Sequence, residues 1–280
     1  MNSKLKIYFK FKCLFSFILL ELLIICNSFT WAQTKSEGFK DAAETRQNNS
    51  NESNESNESN ESLQLPSRGA PTGRRRGGTS RNGCPALDSP PTALVPGSET
   101  FSGLAKSESF LASTVSEDPA FWLYVPKLPE QMQTGEFVLQ TEAGKDIART
   151  QIKLPSTAGA IAIALAPDSP NSLTVGQKYQ WYFKIYCDKP TPDSDYVFVD
   201  AWIERIALAP ELKEQLQMSN KADHEIYKNR SIWYDALSSL GKQLQTDPNN
   251  TKLKTDWFNL LESIDLGHLS DLPVVKIYQL

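Results

Sequence analysis

The clearest pattern along the chain is a strict two-residue alternation between positions 178 and 187. Every second position carries an apolar side chain, namely Tyr179, Trp181, Phe183, Ile185 and Cys187. An alternation this rich in aromatic residues is typical of a half-buried strand in an antiparallel sheet. Because burial of each inner side chain contributes about 1.5–3 kcal/mol, we expect this strand to lie in the middle of a core.

Shorter segments of the same kind occur before and after this strand, separated by turn residues and without interleaved helices. They cover residues 92–95, 120–125, 136–141, 146–154, 160–165 and 196–206. About seven short strands at this spacing predict an antiparallel, immunoglobulin-like β-sandwich over residues 84–209. Residues 103–113 are less regular and are interpreted as loop mixed with a weak strand.

The strand predicted at 196–206 is apolar on both faces, because Phe198 and Trp202 oppose Val197 and Val199. A second apolar face requires a cover. From Pro210 onward the apolar positions follow a helical period, which predicts helices at 211–217, 223–246 and 252–264. We expect them to form a helical cap, residues 210–280, that docks on Phe198 and Trp202, with residues 272–278 either adding a strand or packing irregularly.

Much of the first third of the chain is not expected to contribute to the folded core. Residues 1–32 have the pattern of a secretory signal, with four lysines before an apolar run and predicted cleavage before Gln33. An uncleaved anchor helix is the alternative, against which Glu21 in the apolar run argues. Residues 33–67 contain Asn-Glu-Ser four times in succession and predict a disordered linker.

The net charge limits the classes of partner, and the number of cysteines indicates the compartment. Cleavage removes four lysines and one glutamate from 29 basic and 33 acidic residues, which leaves a net charge of −7 and argues against nucleic acid as a partner. It also leaves Cys84 and Cys187, and two cysteines in an exported protein predict one disulfide. The bridge is worth at most ~4–5 kcal/mol in the chain-entropy picture. Two buried free thiols are the alternative.

An Arg/Gly-rich arm, residues 68–83, precedes the first cysteine. Arg74, Arg75 and Arg76 lie among glycines, and guanidinium groups suit phosphate or carboxylate. One interpretation is an arm that contacts an anionic surface such as lipid headgroups, acidic glycan or an acidic protein. The alternative is a solvated segment, or one that folds back along the domain's own acidic surface.

Candidate catalytic chemistry is sparse. No nucleophile signature is present, His224 is predicted to be a surface residue near a helix start, and His268 is predicted to lie at a helix end, so no metal and no cofactor are predicted. The loop carboxylates Asp188, Asp193 and Asp195 could hold Ca²⁺, but a solvated acidic turn is favoured. A glycosidase would need two carboxylates facing each other across a cleft. The candidates are Glu136, Asp200 and Glu204.

Four aromatic residues are predicted to point away from the sandwich interior: Trp122, Tyr124, Tyr182 and Tyr186. If exposed, they would form a platform for a sugar ring or for the apolar patch of a partner. The alternative is that the helical cap covers them.

Several motifs together resemble a family of exported cyanobacterial proteins classed as a domain of unknown function. They include Thr-Ala-Leu-Val-Pro at 92–96, Phe-Trp-Leu-Tyr-Val-Pro at 121–126, Tyr-Gln-Trp-Tyr-Phe at 179–183, Val-Phe-Val-Asp-Ala-Trp-Ile-Glu-Arg at 197–205 and Trp-Tyr-Asp-Ala-Leu at 233–237. The resemblance covers roughly residues 68–264 and implies export, but it carries no activity and no catalytic residue. The leading hypothesis is therefore a non-catalytic exported protein that binds an envelope or extracellular protein or glycan. A glycan-binding module and an unrecognised hydrolase are the alternatives.

Overall fold

The computed structural model describes residues 70–79, 83–100 and 106–280. The predicted signal peptide, the predicted linker and residues 68, 69 and 80–82 of the Arg/Gly-rich arm lie outside this part of the chain. The described residues are mainly β, with α-helices concentrated after residue 209. The coarse prediction of a β-rich body followed by helices is therefore confirmed, while an immunoglobulin-like arrangement stays a prediction.

The larger sheet is built around the strand predicted at 178–187. Its strands are β2 (Gly78–Thr79), β6 (Ala112–Thr114), β8 (Thr134–Thr141), β9 (Asp146–Lys153), β11 (Lys178–Tyr186) and β12 (Tyr196–Arg205). The order is β2-β12-β11-β8-β9, and β6 runs parallel to the end of β12. Strand β11 pairs antiparallel with both β8 and β12, so its predicted central position is confirmed.

A second sheet packs against the inner face of the first. Its strands are β3 (Thr92–Ala93), β7 (Ala120–Val125), β10 (Gly159–Ala164) and β13 (Val274–Gln279), in the order β13-β10-β7-β3. Phe121 of β7 lies 4.9 Å from Phe137 and 5.7 Å from Trp181, measured between ring centroids. Aromatic contacts at this spacing show that the two sheets share one core.

The four helices among the described residues are α1 (Pro210–Met218), α2 (Asp223–Asn229), α3 (Trp233–Thr246) and α4 (Thr251–Glu262). Helices α3 and α4 cover the far face of the second sheet. There, Trp122 of β7 packs edge-on against Trp257 of α4, with centroids 5.9 Å apart, and donates a hydrogen bond to Ser238 of α3. The second sheet is therefore a middle layer, which explains why β7 and β10 are buried at every position.

The predicted docking of the helices on Phe198 and Trp202 is wrong. The helices lie instead on the side of β10 that presents Ala160, Ala162 and Ala164, since these alanines pair with the β7 residues that face away from the larger sheet. Small side chains there let a helix approach the sheet closely. Both the outer face of β12 and the far face of β7 and β10 are apolar in the sequence. The period of the apolar positions does not show which of the two faces the helices cover.

The outer face of β12 is approached by the Arg/Gly-rich arm. Residues Thr72–Gly73 form strand β1, which pairs with β5 (Lys106–Phe110) and, through it, with β4 (Gly97–Thr100) in a small third sheet. The guanidinium carbon of Arg74 lies 5.2 Å above the centre of the Phe198 ring. The arm thus covers an apolar position that the sequence assigned to the helices.

The prediction of a single helix at 223–246 is also wrong. This segment forms two helices, α2 and α3. Ser231, between them, has a φ of 56°, in the left-handed region that an α-helix cannot continue through. The apolar side chains of α2 and of α3 pack into two different hydrophobic clusters. Ile226 packs with Leu212 and Ile232, whereas the apolar side chains of α3 join the main core.

The predicted disulfide is confirmed. Cys84 and Cys187 are joined, with their Cα atoms 5.0 Å apart and a sequence separation of 103 positions. The bridge ties the end of the arm to the end of β11. Within the described part of the chain, no helix combines the length and the apolar character that crossing a bilayer requires.

We expect Gly241→Ala to destabilise the protein even though alanine favours a helix by about 1 kcal/mol over glycine. A Cβ atom at Gly241 of α3 would overlap the six-membered ring of Trp122, which is fully buried and held by its hydrogen bond to Ser238. Urea unfolding should therefore show a loss of about 1–3 kcal/mol, as for overpacking elsewhere. A gain in stability would mean that α3 does not rest on the sheet as described.

Candidate functional site

The arginines proposed for an anionic ligand are largely engaged within the domain. Arg75 is 1% exposed, donates to the backbone carbonyl of Ile264 at 2.7 Å and forms an ion pair with Glu99 at 3.2 Å. Burial lowers the pKa of the guanidinium, and the neighbouring Glu99 carboxylate opposes that shift. Since Ile264 follows α4, Arg75 ties the arm to the helical layer and is not available to a ligand.

The neighbouring arginines also contact the body of the protein. Arg76 forms an ion pair with the other oxygen of Glu99 at 2.9 Å. The backbone N–H of Arg74 donates to the Asp200 carboxylate at 3.0 Å, and its carbonyl accepts from the Asp200 N–H at 2.9 Å. The structure therefore places the described part of the arm against the domain's own acidic side chains, which is the second of the two interpretations drawn from the sequence.

The predicted aromatic platform does not form as an exposed surface. Trp122, Tyr124 and Tyr186 are 0%, 6% and 8% exposed, and Tyr182 is half-buried. Trp122 lies under the helices, while the Tyr124 hydroxyl shares a hydrogen bond with Ser89 at 2.9 Å. Trp122 and Tyr124 belong to β7 of the middle sheet, which is covered on both faces, whereas Tyr182 and Tyr186 lie in β11 of the larger sheet. For Trp122, the alternative drawn from the sequence, cover by the helices, is the one observed.

The candidate glycosidase carboxylates are used in local contacts on the larger sheet. Glu136 pairs with Arg149 at 2.6 Å and with Lys184 at 3.4 Å. Asp200 accepts from Gln180 at 2.8 Å as well as from the arm, and burial raises its pKa although these hydrogen bonds oppose the shift. Glu204 pairs in register with Lys178. The three carboxylates occupy two different strands of one sheet and do not line either depression described below.

The prediction that His224 is a surface residue is wrong. It is 4% exposed and faces α4, where its Nε2 atom lies 3.2 Å from the Asp256 carboxylate. His268 is exposed. Among the described residues, one group brings three potential metal ligands together, namely His224, Glu225 and Asp256. The loop carboxylates Asp188, Asp193 and Asp195 are not part of such a group. Sequence spacing missed Asp256 because it comes from a different helix.

The larger surface depression lies between the α3–α4 connection, helix α4 and the start of β13. This groove has a volume of about 420 Å³, and its lining is mainly apolar. Its apolar residues are Leu244, Pro248, Trp257, Phe258, Leu272, Pro273 and Val274. Lys254 and Asp271 are the ionisable groups in the lining. Phe258 is 44% exposed, and it is the aromatic residue among the large hydrophobic side chains exposed in the described part of the chain.

A smaller, polar depression lies where α2 and α3 meet the segment between β6 and β7. This acidic cleft, of about 250 Å³, is lined by Asp118, Asp223 and Asp235 together with several hydroxyl groups. Asp235 accepts hydrogen bonds from the Thr114 hydroxyl at 2.7 Å and the Val115 N–H at 3.1 Å, and burial raises its pKa. Burial, with help from Asp235 and Asp223, raises the pKa of Tyr227 to about 12.

Comparison with known families accounts for most of the described chain. The family model Domain of Unknown Function (DUF928) matches residues 76–274, more than half of the protein. The chain belongs to the DUF928 family. Comparison with curated proteins gave no significant match.

The DUF928 region contains both depressions in full. It begins at Arg76, inside the arm, and ends at Val274, where the last strand of the middle sheet starts. The groove and the cleft are therefore features of the DUF928 domain itself, whereas the segments predicted to be a signal peptide and a linker lie outside it.

We expect Arg75→Ala to lower the free energy of unfolding by about 1–3 kcal/mol, because it leaves the Ile264 carbonyl without its donor and removes one of the two arginines that pair with Glu99. The matched control is Arg74→Ala. It removes a guanidinium–ring contact at an exposed position, which is worth only about 0.5–1 kcal/mol. Chemical denaturation of both variants measures the difference. Equal losses would show that Arg75 does not hold the arm in place.

Proposed function

We propose that this DUF928 protein is an exported, non-catalytic binding protein of the cell envelope that receives an extended apolar segment of a partner protein. The segment would run along the free edge of β13, with its leading side chains in the groove. The observation that carries the proposal is the position of the groove at the start of β13, a strand with a single neighbour among the described residues.

The size and the lining of the groove favour it over the acidic cleft. Ligand sites are mostly apolar and span about 300–1,000 Å³. The groove, at about 420 Å³, is within that range, while the cleft, at about 250 Å³, falls below it. Trp257 forms the buried base of the groove and Phe258 is exposed in its lining. Aromatic anchors of this kind supply a large part of the binding energy at protein interfaces.

The edge strands of the two large sheets differ in how they are protected. Strand β9, at one edge of the larger sheet, carries Asp146, Arg149 and Lys153. Strand β13 carries a single charged residue, Lys276, among apolar or uncharged ones. Charges on an edge discourage strand addition, and a bare apolar edge invites it. An added strand gains affinity from backbone hydrogen bonds and specificity from side-chain pockets.

The chemistry of the groove supports binding and not catalysis. Its ionisable groups are one lysine and one aspartate, which can orient a peptide, and its other lining residues are mostly apolar. Backbone recognition on β13 needs no catalytic group. Lys254 and Asp271 instead offer one positive and one negative contact along the path of a peptide.

Export is the part of the proposal supported by the N-terminal pattern and by the disulfide. A bridge between Cys84 and Cys187 is favoured in an oxidising compartment. The four lysines and the apolar run before Gln33 indicate the route.

A second candidate function is a glycan or another polyol bound in the acidic cleft. Its three carboxylates can accept hydrogen bonds from sugar hydroxyls, and its protein hydroxyls can both donate to them and accept from them. No exposed aromatic platform accompanies them, so this candidate ranks below the groove.

The direct test is selection of a phage library of random short peptides on the full exported chain. We expect enriched peptides to alternate aliphatic and polar residues, and to lose binding when alternate backbone nitrogens are methylated. Phe258→Asp should abolish binding. The matched control is Leu208→Asp, at a site that is 43% exposed and outside the groove. A glycan array run in parallel tests the cleft. Absence of any enriched sequence, or binding that survives Phe258→Asp, would contradict the proposal.

A further inference from the structure

We propose that His224, Glu225 and Asp256 form a binding site for a divalent transition-metal ion, of which Zn²⁺ is the best match. His224 and Glu225 begin helix α2, and Asp256 lies in the middle of α4. One donor atom from each residue lies within 4.8 Å of the other two. The site would join two helices that are separated by more than twenty residues of sequence.

The first reason is the state of the histidine. His224 is 4% exposed, and neither of its ring nitrogens forms a hydrogen bond within the described residues. Nearly all buried polar groups in proteins have a partner, so this ring is exceptional. Its Nε2 atom lies 3.2 Å from Oδ2 of Asp256, yet the contact lacks hydrogen-bond geometry. A metal ion between the two atoms would use the imidazole lone pair that is otherwise unsatisfied.

The second reason is that a cation already lies beside these carboxylates. The ammonium group of Lys252 lies 2.7 Å from Asp256 and 3.4 Å from Glu225. The hydrogen bond to Asp256 is the main cause that raises the pKa of this lysine. Its side chain is 68% exposed, so the ion pair is screened by solvent and the lysine can turn outward. A divalent ion can therefore replace the ammonium group without a change in the backbone.

The donor set narrows the class of ion. One imidazole and two carboxylates suit Zn²⁺ and neighbouring transition metals, whereas Ca²⁺ and Mg²⁺ prefer oxygen ligands alone. Zinc binds these donors at about 2.0–2.2 Å. Glu225 is 42% exposed and Asp256 is 18% exposed, measured for the side chains, so both can adjust toward an ion held by the buried imidazole. A water molecule would complete the coordination.

The site is separate from the proposed peptide groove. None of its three residues lines the groove, and none lines the acidic cleft. A metal bound here would cross-link α2 to α4 and stabilise the helical layer, because an ion that binds only the folded state shifts the unfolding equilibrium.

The experiment titrates the full exported chain, without an affinity tag and after treatment with a chelator, with Zn²⁺ in a calorimeter and with Co²⁺ in a spectrophotometer. We expect one ion per chain, visible Co²⁺ absorption of a tetrahedral or five-coordinate site, and a rise in Tm with Zn²⁺. Asp256→Asn and Glu225→Gln should each weaken binding about tenfold or more. Both positions are partly exposed, so these variants are expected to fold.

Two further variants separate a metal site from a structural ion pair. Lys252→Met removes the competing cation and should tighten Zn²⁺ binding several-fold, which no purely structural role for the cluster predicts. His268→Ala alters the other histidine of the chain, which is exposed and outside the cluster, and should change nothing. The proposal is overturned if the protein binds no Zn²⁺, if Asp256→Asn binds as tightly as the wild type, or if His268→Ala abolishes binding.

Discussion

The fold depends on a sheet whose two central strands have no face in contact with water. Strands β7 and β10 lie between the larger sheet and the helices, and every residue of both strands is buried. On one side Phe121 packs against Trp181, and on the other side Trp122 packs against Trp257. Each fully buried aromatic side chain removes about 150–250 Å² of surface from water, so this middle layer holds much of the apolar burial in the protein. Removal of either the larger sheet or the helices would expose the apolar side chains of β7 and β10 to water.

The start of α3 shows how polar groups are satisfied within so apolar an arrangement. Trp233 donates to the carbonyl of Leu94 at 2.8 Å, and Tyr234 accepts from the indole of Trp181 at 2.8 Å. The next residue, Asp235, holds the hydroxyl of Thr114. Three consecutive side chains thus reach three separate segments of the β-structure. Burial raises the pKa of Tyr234, which keeps its hydroxyl neutral and able to serve this network. The Trp-Tyr-Asp sequence at 233–235 therefore links the helical layer to the β-structure.

Much of the β-structure could be predicted because its signal is local. The alternation at 178–187 and the apolar run at 120–125 identify strands, and the predicted removal of residues 1–32 would leave two of the four cysteines and so one pairing. The layer order could not be predicted, because it depends on which of two apolar faces the helices choose. The three alanines of β10 and Gly241 decide that choice through close packing. They look unremarkable in the sequence, since small residues carry little hydrophobic signal.

The candidate sites were missed for a related reason. The groove is assembled from the end of α3, from α4 and from the segment before β13, which meet only after the layers have formed. The metal-competent cluster likewise joins the start of α2 to the middle of α4. For the Arg/Gly-rich arm, the sequence left an external anion and the domain's own carboxylates as alternatives, and Arg75 pairs with an internal carboxylate, that of Glu99.

Native-state hydrogen exchange of the β7 and β10 amides tests the buried middle sheet most directly. If both faces of this sheet are covered as described, these amides exchange only through global unfolding, with the highest protection in the molecule. Their exchange free energies should equal the unfolding free energy measured with denaturant. Exchange of β7 and β10 through a smaller opening, with the helices released and the larger sheet still protected, would contradict the central place given to this sheet.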